Sequence, residues 1–345
     1  MKEIIITKNN AGGRLDKIIF RYLDKASPGF VYKMLRKKNI TLNDKRAEGS
    51  AIVNEGDSIK LYLSDETVAR FKSGESFRAA KAGRRASGAG EGAGTDMHGA
   101  EIAYEDDNVI ALNKPAGLLS QKVSKRDISL NDIVLQLVPG DEIFKPGISN
   151  RLDRNTSGLI LAGKNLAAAR LLNHAVKQRS VAKKYICVAC GSFEISGRKS
   201  ARLLKDGVTN KVTVSESMEE GADIITEFRP VRYFDTDGFR LTLLEVELIT
   251  GKSHQIRAHL AYFGHPILGD AKYGEEGTNA YFKAKLGLNA QLLHAYRVEF
   301  NDMEGALEYL NGKKITAAPP RIWNKMLGEG GYGDLELQGP SGLQA

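Results

Sequence analysis

Apolar residues recur along the chain with two different periods. Residues 3–7 read as a strand, and Leu15, Ile18, Ile19, Tyr22 and Leu23 then fall at helical spacing, which predicts a helix over 14–23 with one face in a core. Ser27 can cap a second helix with Pro28 at its first position, and Lys33, Arg36, Lys37 and Lys38 make the exposed side of that helix strongly basic. Residues 39–43 turn extended. The segments 51–53 and 58–62, on either side of Glu55-Gly56-Asp57, predict a β-hairpin that closes a small unit near Asp65.

From about 67 to 100 the apolar pattern is lost, and the chain turns to Gly, Ala and Ser with scattered bases (Arg70, Lys72, Arg78, Lys81, Arg84, Arg85). Such a composition cannot bury a core and reads as a flexible, solubilised linker. A second unit starts near residue 101. A strand at 109–112 leads into Asn113-Lys114-Pro115, helices are predicted at 129–138 and 165–178, and strands at 158–163, 183–190, 224–233 and 239–249. Helices and long strands mix without strict βαβ alternation, which predicts an α+β fold rather than a doubly wound sheet. The expected organisation is therefore a small unit at 1–66, a linker at 67–100, a large unit at 101–323 and a loose Gly-rich tail at 324–345.

Charge sharpens this picture. Lys and Arg number 50 against 42 Asp and Glu, a net +8 with a pI near 9.2, which favours an anionic partner such as nucleic acid. Two cysteines and an N-terminus without an apolar signal segment lead us to expect a reducing, cytoplasmic setting. No apolar run approaches the roughly 20 residues that span a bilayer, so no membrane partner is expected.

Several motif matches fail on physical grounds. Gly251-Lys252-Ser253 resembles the end of a phosphate loop, but the first glycine of that loop would fall at Val246, inside a strand pattern. Cys187 and Cys190 have redox or zinc spacing, yet three positions apart on a strand they face opposite sides and no second pair accompanies them. They read as small core residues. His254, His259 and His265 lack metal-ligand spacing and acidic company, and suit phosphate contact or helix packing better. Residues 250–260 read as a strand end and tight turn that open a helix, with Arg257 in an early turn and Ile256 and Leu260 packing inward.

The stretch SNRLDRNTSGLILAGKN, residues 149–165, sets Asp153 between Arg151 and Arg154 ahead of a Thr156-Ser157-Gly158 turn and an apolar run. A surface ion pair contributes about 0–1 kcal/mol, so stability alone is a weak reason for the arrangement. The paired carboxylates of a glycosidase and the acidic cluster of a two-metal enzyme are both missing from the sequence. A single aspartate kept ionised beside arginines suits attack at, or proton abstraction beside, a sugar carbon that gains positive character as its base departs.

Arg151-Leu152-Asp153-Arg154-Asn155-Thr156-Ser157-Gly158 resembles the H-R-L-D-x-x-T-S-G motif of the pseudouridine synthases of the RluA family. Lys183-Lys184-Tyr185, the block from Thr250 to Arg257, the block from Gly264 to Asp270, and Leu293-His294-Ala295 match that family's other blocks in order, over roughly 102–300. The first sixty-odd residues resemble an S4 RNA-binding domain, with Gly13-Arg14-Leu15-Asp16 opening helix one. Three segments depart from the pattern: Asn150 replaces the usual His, Lys252-Ser253 the commoner Arg-Thr, and Ser120-Gln121 a Val-His pair.

The resemblance implies a mixed, mainly antiparallel β-sheet catalytic domain of the pseudouridine synthase fold, with a small N-terminal α/β S4 domain. It implies an isomerase that breaks the uridine N1–C1′ bond, rotates the uracil and rejoins it through C5, without metal or cofactor. Asp153 would be the essential carboxylate, as nucleophile or as base; Tyr185 would stack on the uracil and help remove the C5 proton; Arg257 would pair with Asp153. Arg151 would insert where the uridine left the stack, and Arg14, Lys33, Arg36, Lys37 and Lys114 would contact RNA. The expected partner is large-subunit rRNA, met in the cytoplasm by a monomer. The alternatives are a tRNA pseudouridine synthase and a non-catalytic RNA-binding or ribosome-assembly protein.

Overall fold

The computed structural model describes residues 1–72, 96–207, 209, 211–328, 331, 332 and 335. In the first 72 residues, β1 (Lys2–Ile5), α1 (Leu15–Tyr22), α2 (Pro28–Arg36), β2 (Ile40–Leu42), β3 (Ser58–Leu61) and α3 (Asp65–Phe71) enclose one apolar core. α1 buries Leu15, Ile18, Ile19 and Tyr22, and α2 starts where its sequence places it, with Ser27 Oγ accepting the Phe30 N–H at 3.3 Å. The hairpin expected from 51–53 and 58–62 does not form. β3 is instead the central strand, between β1 and β2, because Ile59 and Leu61 are buried there, while Ile52 makes only an isolated bridge to Arg14. The Gly56 turn returns the chain to β1, with its N–H donating to Ile6 O at 2.8 Å.

α3 occupies the start of the stretch expected as linker. Ser64 caps it, Val68 is buried, and Phe71 lies 4.4 Å from Phe30 between ring centroids, so the linker cannot begin at 67. Residues 73–95 of that expected linker, with Arg78, Lys81, Arg84 and Arg85, lie outside the described residues. The N-terminal unit is seated on the rest of the chain: Ile143 is buried in its core, Asn10 Nδ2 donates to Asp141 Oδ2 at 2.6 Å, and Leu166 N–H donates to Asn9 O at 2.8 Å.

The larger unit runs β4 (Glu101–Glu105), β5 (Val109–Lys114), α4 (Leu130–Leu137), β6 (Ser157–Gly163), α5 (Leu166–Gln178), β7 (Val181–Cys190), β8 (Gly197–Lys205), β9 (Val212–Ser215), β10 (Ala222–Thr236), β11 (Phe239–Leu248), α6 (Gln255–Tyr262), α7 (Glu276–Leu286), β12 (Leu293–Phe300), β13 (Lys314–Thr316) and α8 (Ile322–Leu327). Among the described residues its strands form one ten-stranded sheet in the order β4-β5-β6-β12-β7-β11-β10-β8-β9, with β13 on β12. Every pairing is antiparallel except β6 with β12, so the sheet is the mixed, mainly antiparallel one of an α+β fold.

Cys187 and Cys190 stand on β7 with free thiols and pack into different apolar clusters, as their odd spacing on a strand requires. The tail begins later than residue 324. α8 buries Trp323, Met326 and Leu327, and Leu335 joins the same cluster. Among the described residues no helix is long and apolar enough to cross a membrane.

Candidate active site

Strand topology brings the two ends of the site together. The β6–β12 register sets Gly158 against Ala295, and the β12–β7 register sets Ala295 against Tyr185. Gly158 has φ +118, and a Cβ there would run into the Ala295 backbone, so only glycine allows this close parallel approach. Tyr185 therefore lies one strand away from the loop that enters β6, the loop that carries Asp153.

That loop is anchored from several sides. Asn150 behaves as an extra strand partner: its Oδ1 accepts the Leu161 N–H at 2.8 Å and its Nδ2 donates to Leu159 O at 3.2 Å. Ser120 clamps the neighbour of Asp153, with Oγ donating to Leu152 O at 2.7 Å and accepting the Leu152 N–H at 3.0 Å. Thr156 N–H closes a turn on Asp153 O at 3.1 Å, and Gln291 Nε2 holds Thr156 Oγ1 at 3.0 Å. His294 Nε2–H donates to Ala317 O at 3.0 Å, and burial lowers the pKa of the ring to about 4, so the ring is neutral and Nδ1 accepts from Ser157 Oγ at 2.9 Å.

Lys114 departs from its expected role as an RNA contact. It is fully buried at the end of β5, and its ammonium donates to Pro115 O, Leu118 O and Arg154 O at 2.9, 2.8 and 3.0 Å. Burial pulls its pKa down to about 7, against an opposing pull from Asp153. All three donors are used inside the protein, so Lys114 ties the 115–118 turn to the Asp153 loop and cannot reach a phosphate. Arg154 joins the same tie through Nε to Gly117 O at 3.0 Å.

Arg257, in the first turn of α6, faces Asp153. Its Nη1 donates to Asp153 Oδ2 at 2.8 Å, while Nε and Nη2 grip Asp270 Oδ2 and Oδ1 at 2.7 and 2.8 Å. Asp270 also accepts the Lys272 and Tyr273 N–H groups at 2.9 and 3.1 Å. Burial opposes the Arg257 charge, but Asp270 and Asp153 outweigh it and hold its pKa above the ordinary value; burial likewise opposes the Asp270 charge, and Arg257 with the two N–H groups holds its pKa below the ordinary value. Both contacts to the Asp153 carboxylate, from Arg257 and from His254 Nε2 at 3.9 Å, fall on Oδ2. Among the described residues Oδ1 has no protein partner.

The entry to α6 is fixed by Gln255, whose Oε1 accepts from Thr250 Oγ1 and the Lys252 N–H and whose Nε2 donates to Ile225 O and Thr226 Oγ1, all within 3.1 Å. Asp153 and Tyr185 line a common cleft of about 480 Å³ with Arg151, Lys183, Lys252 and His254, so its rim is cationic. Tyr185 is buried, and burial together with Asp153 raises the pKa of its phenol, which therefore keeps its proton. Among the described residues no group of three or more His, Cys, Asp or Glu side chains is arranged to hold a metal.

Asp153, Tyr185, Arg257 and Arg151 together line the adjoining pocket. Lys33 and Arg36 on α2 and Lys37 at its C-cap are exposed in the N-terminal unit, and Arg14, part-exposed beside them, is tied to Asp16 at 2.7 Å. Sequence reasoning missed Asp270, which sits in a quoted block but whose grip on Arg257 needs a 13-residue separation to close, and Ser120, noted only as a departure. His259 is a packing residue, buried with Nδ1 at 3.0 Å from Thr226 Oγ1. His265 likewise packs, its Nδ1–H donating to Cys190 O at 2.8 Å.

The family described as RNA pseudouridylate synthase matches residues 108–262. The chain is 34% identical over 282 residues to Ribosomal large subunit pseudouridine synthase C of Rickettsia conorii, covering 81% of this chain and 88% of that protein. It is 29% identical over 296 residues to the protein of the same name from Vibrio vulnificus, covering 86% and 87%. Among solved structures, Human RNA Pseudouridylate Synthase Domain Containing 1 superposes with a TM-score of 0.53 at 20% identity, over 68% of this chain and 89% of that one, which shows a shared fold.

Proposed function

Because the chain belongs to the RNA pseudouridylate synthase family, an isomerase family, we propose that Asp153 is its essential carboxylate and that it modifies uridines of large-subunit rRNA. One observation carries the assignment: Asp270 holds Arg257 so that Nη1 engages Asp153 Oδ2, leaving Oδ1 without a protein partner in a cleft shared with Tyr185.

On this reading Oδ1 acts on the ribose as the N1–C1′ bond breaks, either on C1′ as nucleophile or on a neighbouring proton as base. The detached uracil turns against Tyr185 and rejoins C1′ through C5, as the Oδ1–C1′ bond breaks in the nucleophilic case or Asp153 returns its proton to the ribose in the base case. C5 then loses one proton and N1 gains one, so the site needs a relay rather than a store. Tyr185 takes the C5 proton only by handing its own phenolic proton onward in the same step.

Chemistry on a base requires that base to leave the stack, at a cost of a few kcal/mol that stacking and inserted side chains offset. Arg151 at the rim is the side chain we assign to the vacated position. The 1–72 unit would act as an S4-like RNA-binding module, with Lys33, Arg36 and Lys37 giving sequence-independent phosphate affinity. The target class is supported by the names of the relatives, and with an rRNA substrate we expect the enzyme to work in the cytoplasm as a monomer. Mapping pseudouridines in rRNA and tRNA from cells with and without the gene tests the target. Loss of specific large-subunit sites is expected; loss confined to tRNA would refute the assignment.

A further inference from the structure

His254 opens α6 in the left-handed conformation, φ 55 and ψ 16, which non-glycine residues adopt only under constraint, and its side chain makes no capping bond to the helix. The imidazole is instead turned into the cleft. Its Nδ1 lies 2.9 Å from Tyr273 Oη, and that oxygen accepts the Val212 N–H at 2.9 Å. Among the described residues no other acceptor reaches the phenol, which leaves Nδ1 as the protein group placed to take its hydrogen. With Tyr273 donating, the hydrogen of a neutral ring sits on Nε2, which faces Asp153 Oδ2 at 3.9 Å.

The charges around the ring are Asp153 and Asp270 on one side of the balance and Arg257 and Lys272 on the other; burial, with the two cations, lowers the His254 pKa and keeps the ring neutral. A gap of 3.9 Å exceeds a hydrogen bond, but catalytic contacts in empty sites are often long and tighten on substrate binding.

We propose that His254 is a positioning residue: a neutral imidazole, locked by Tyr273 with its hydrogen on Nε2, that closes onto Asp153 Oδ2 when uridine enters. With Arg257 Nη1 it completes a two-donor clamp on one carboxylate oxygen and turns the other, Oδ1, toward the ribose. The inference rests on Asp153 being the reacting carboxylate. It assigns the clamp to a histidine, a phenol and a backbone N–H drawn from three separate segments, α6, the loop before α7, and β9.

Three measurements test it. Nitrogen NMR of the histidine-labelled full chain, with the His254 signal assigned by its loss in His254→Gln, should show the hydrogen on Nε2 at neutral pH; a hydrogen on Nδ1, or an imidazolium, overturns the proposal. His254→Phe should lower kcat about ten- to a hundredfold, the range that one hydrogen bond to a charged group controls, with KM for RNA little changed. His254→Gln, whose amide donor reaches the same place, should restore kcat to within a few-fold of wild type. Wild-type kcat in His254→Phe, or equal losses in both variants with a lowered melting temperature, overturns the clamp and leaves His254 a turn residue. Asp153→Asn measured alongside separates the two claims. Turnover there sinks the carboxylate assignment itself, whereas its inactivity beside a fully active His254→Phe sinks the clamp alone.

Discussion

Asp270→Asn tests how the site is held without touching the cleft. Asp270 has no exposed side-chain surface and Arg257 only 9%, so their bidentate pair is buried. Removing one partner of a buried pair costs about 3–5 kcal/mol, because the remaining charge is left uncompensated. Asparagine keeps an oxygen for the Lys272 and Tyr273 N–H groups and for Arg257 Nη2, which sets the expected loss near the lower bound, about 3 kcal/mol. The asparagine amide would also present donors to the Arg257 Nε–H, so the guanidinium must turn and its Nη1 must leave Asp153. If most of that orientation is lost, kcat/KM should fall about a hundredfold, equivalent to ~2.7 kcal/mol of transition-state stabilisation. Urea unfolding followed by Trp323 reports the first quantity, since this single tryptophan is buried in the cluster that contains Leu268, two residues from Asp270. Release of isotope from uridine C5 reports the second. Stability within about 1 kcal/mol of wild type together with wild-type kcat/KM would show that Arg257 is oriented without Asp270, and the reasoning would fail.

Replacing Lys33, Arg36 and Lys37 together by alanine should flatten the dependence of RNA affinity on salt by about two in the log–log slope, while turnover at saturating RNA stays near wild type; an unchanged slope would remove α2 from the RNA interface. Burial lowers the pKa of His259 and of His294 from 6.5 to about 4. Between those values the unfolded chain binds protons that the folded chain does not, so stability is complete above pH 6.5 and declines as the pH falls toward 4. His259→Phe should reduce that acid-side slope by one proton in denaturation measured across the range, and an identical slope would contradict a neutral buried His259.

What was legible in the sequence depended on how local the signal is. α1, α2, α4 and α5 stand where periodicity and capping residues put them, because Ser27-Pro28, Ser129 and Asn165 are short-range signals. The long strands β7, β10 and β11 were legible from their β-branched and apolar runs. Strand partners were not: Ile52 reads like a hairpin arm, yet β3 is claimed on both sides by β1 and β2, a choice made by burial of Ile59 and Leu61. β8, β12 and α7 escaped notice because they mix polar with apolar residues, and β9 because it is only four residues long.

At the site, the motif spacing pointed to Asp153, Tyr185 and Arg257, but not to the contacts that position them. Ser120 meets Leu152 across 32 residues and Lys114 meets Arg154 across 40, distances over which residue type carries no directional information. Lys114 illustrates the hazard. A lysine in a basic chain reads as a phosphate ligand, whereas β5 buries it and three backbone carbonyls consume its donors. Asn150, an oddity in the sequence, has a plain structural role as a side-chain mimic of a strand edge against β6.

The central claim is that Asp153 carries the isomerisation while the rest of the cleft binds and orients RNA. Its most direct test is large-subunit rRNA labelled with tritium at uridine C5, incubated with the full-length wild type and with Asp153→Asn, with RNA affinity measured on the same preparations. Wild type should release label as pseudouridine forms, and the variant should release none while binding RNA within a few-fold of wild type. Release by Asp153→Asn at the wild-type rate would contradict the account.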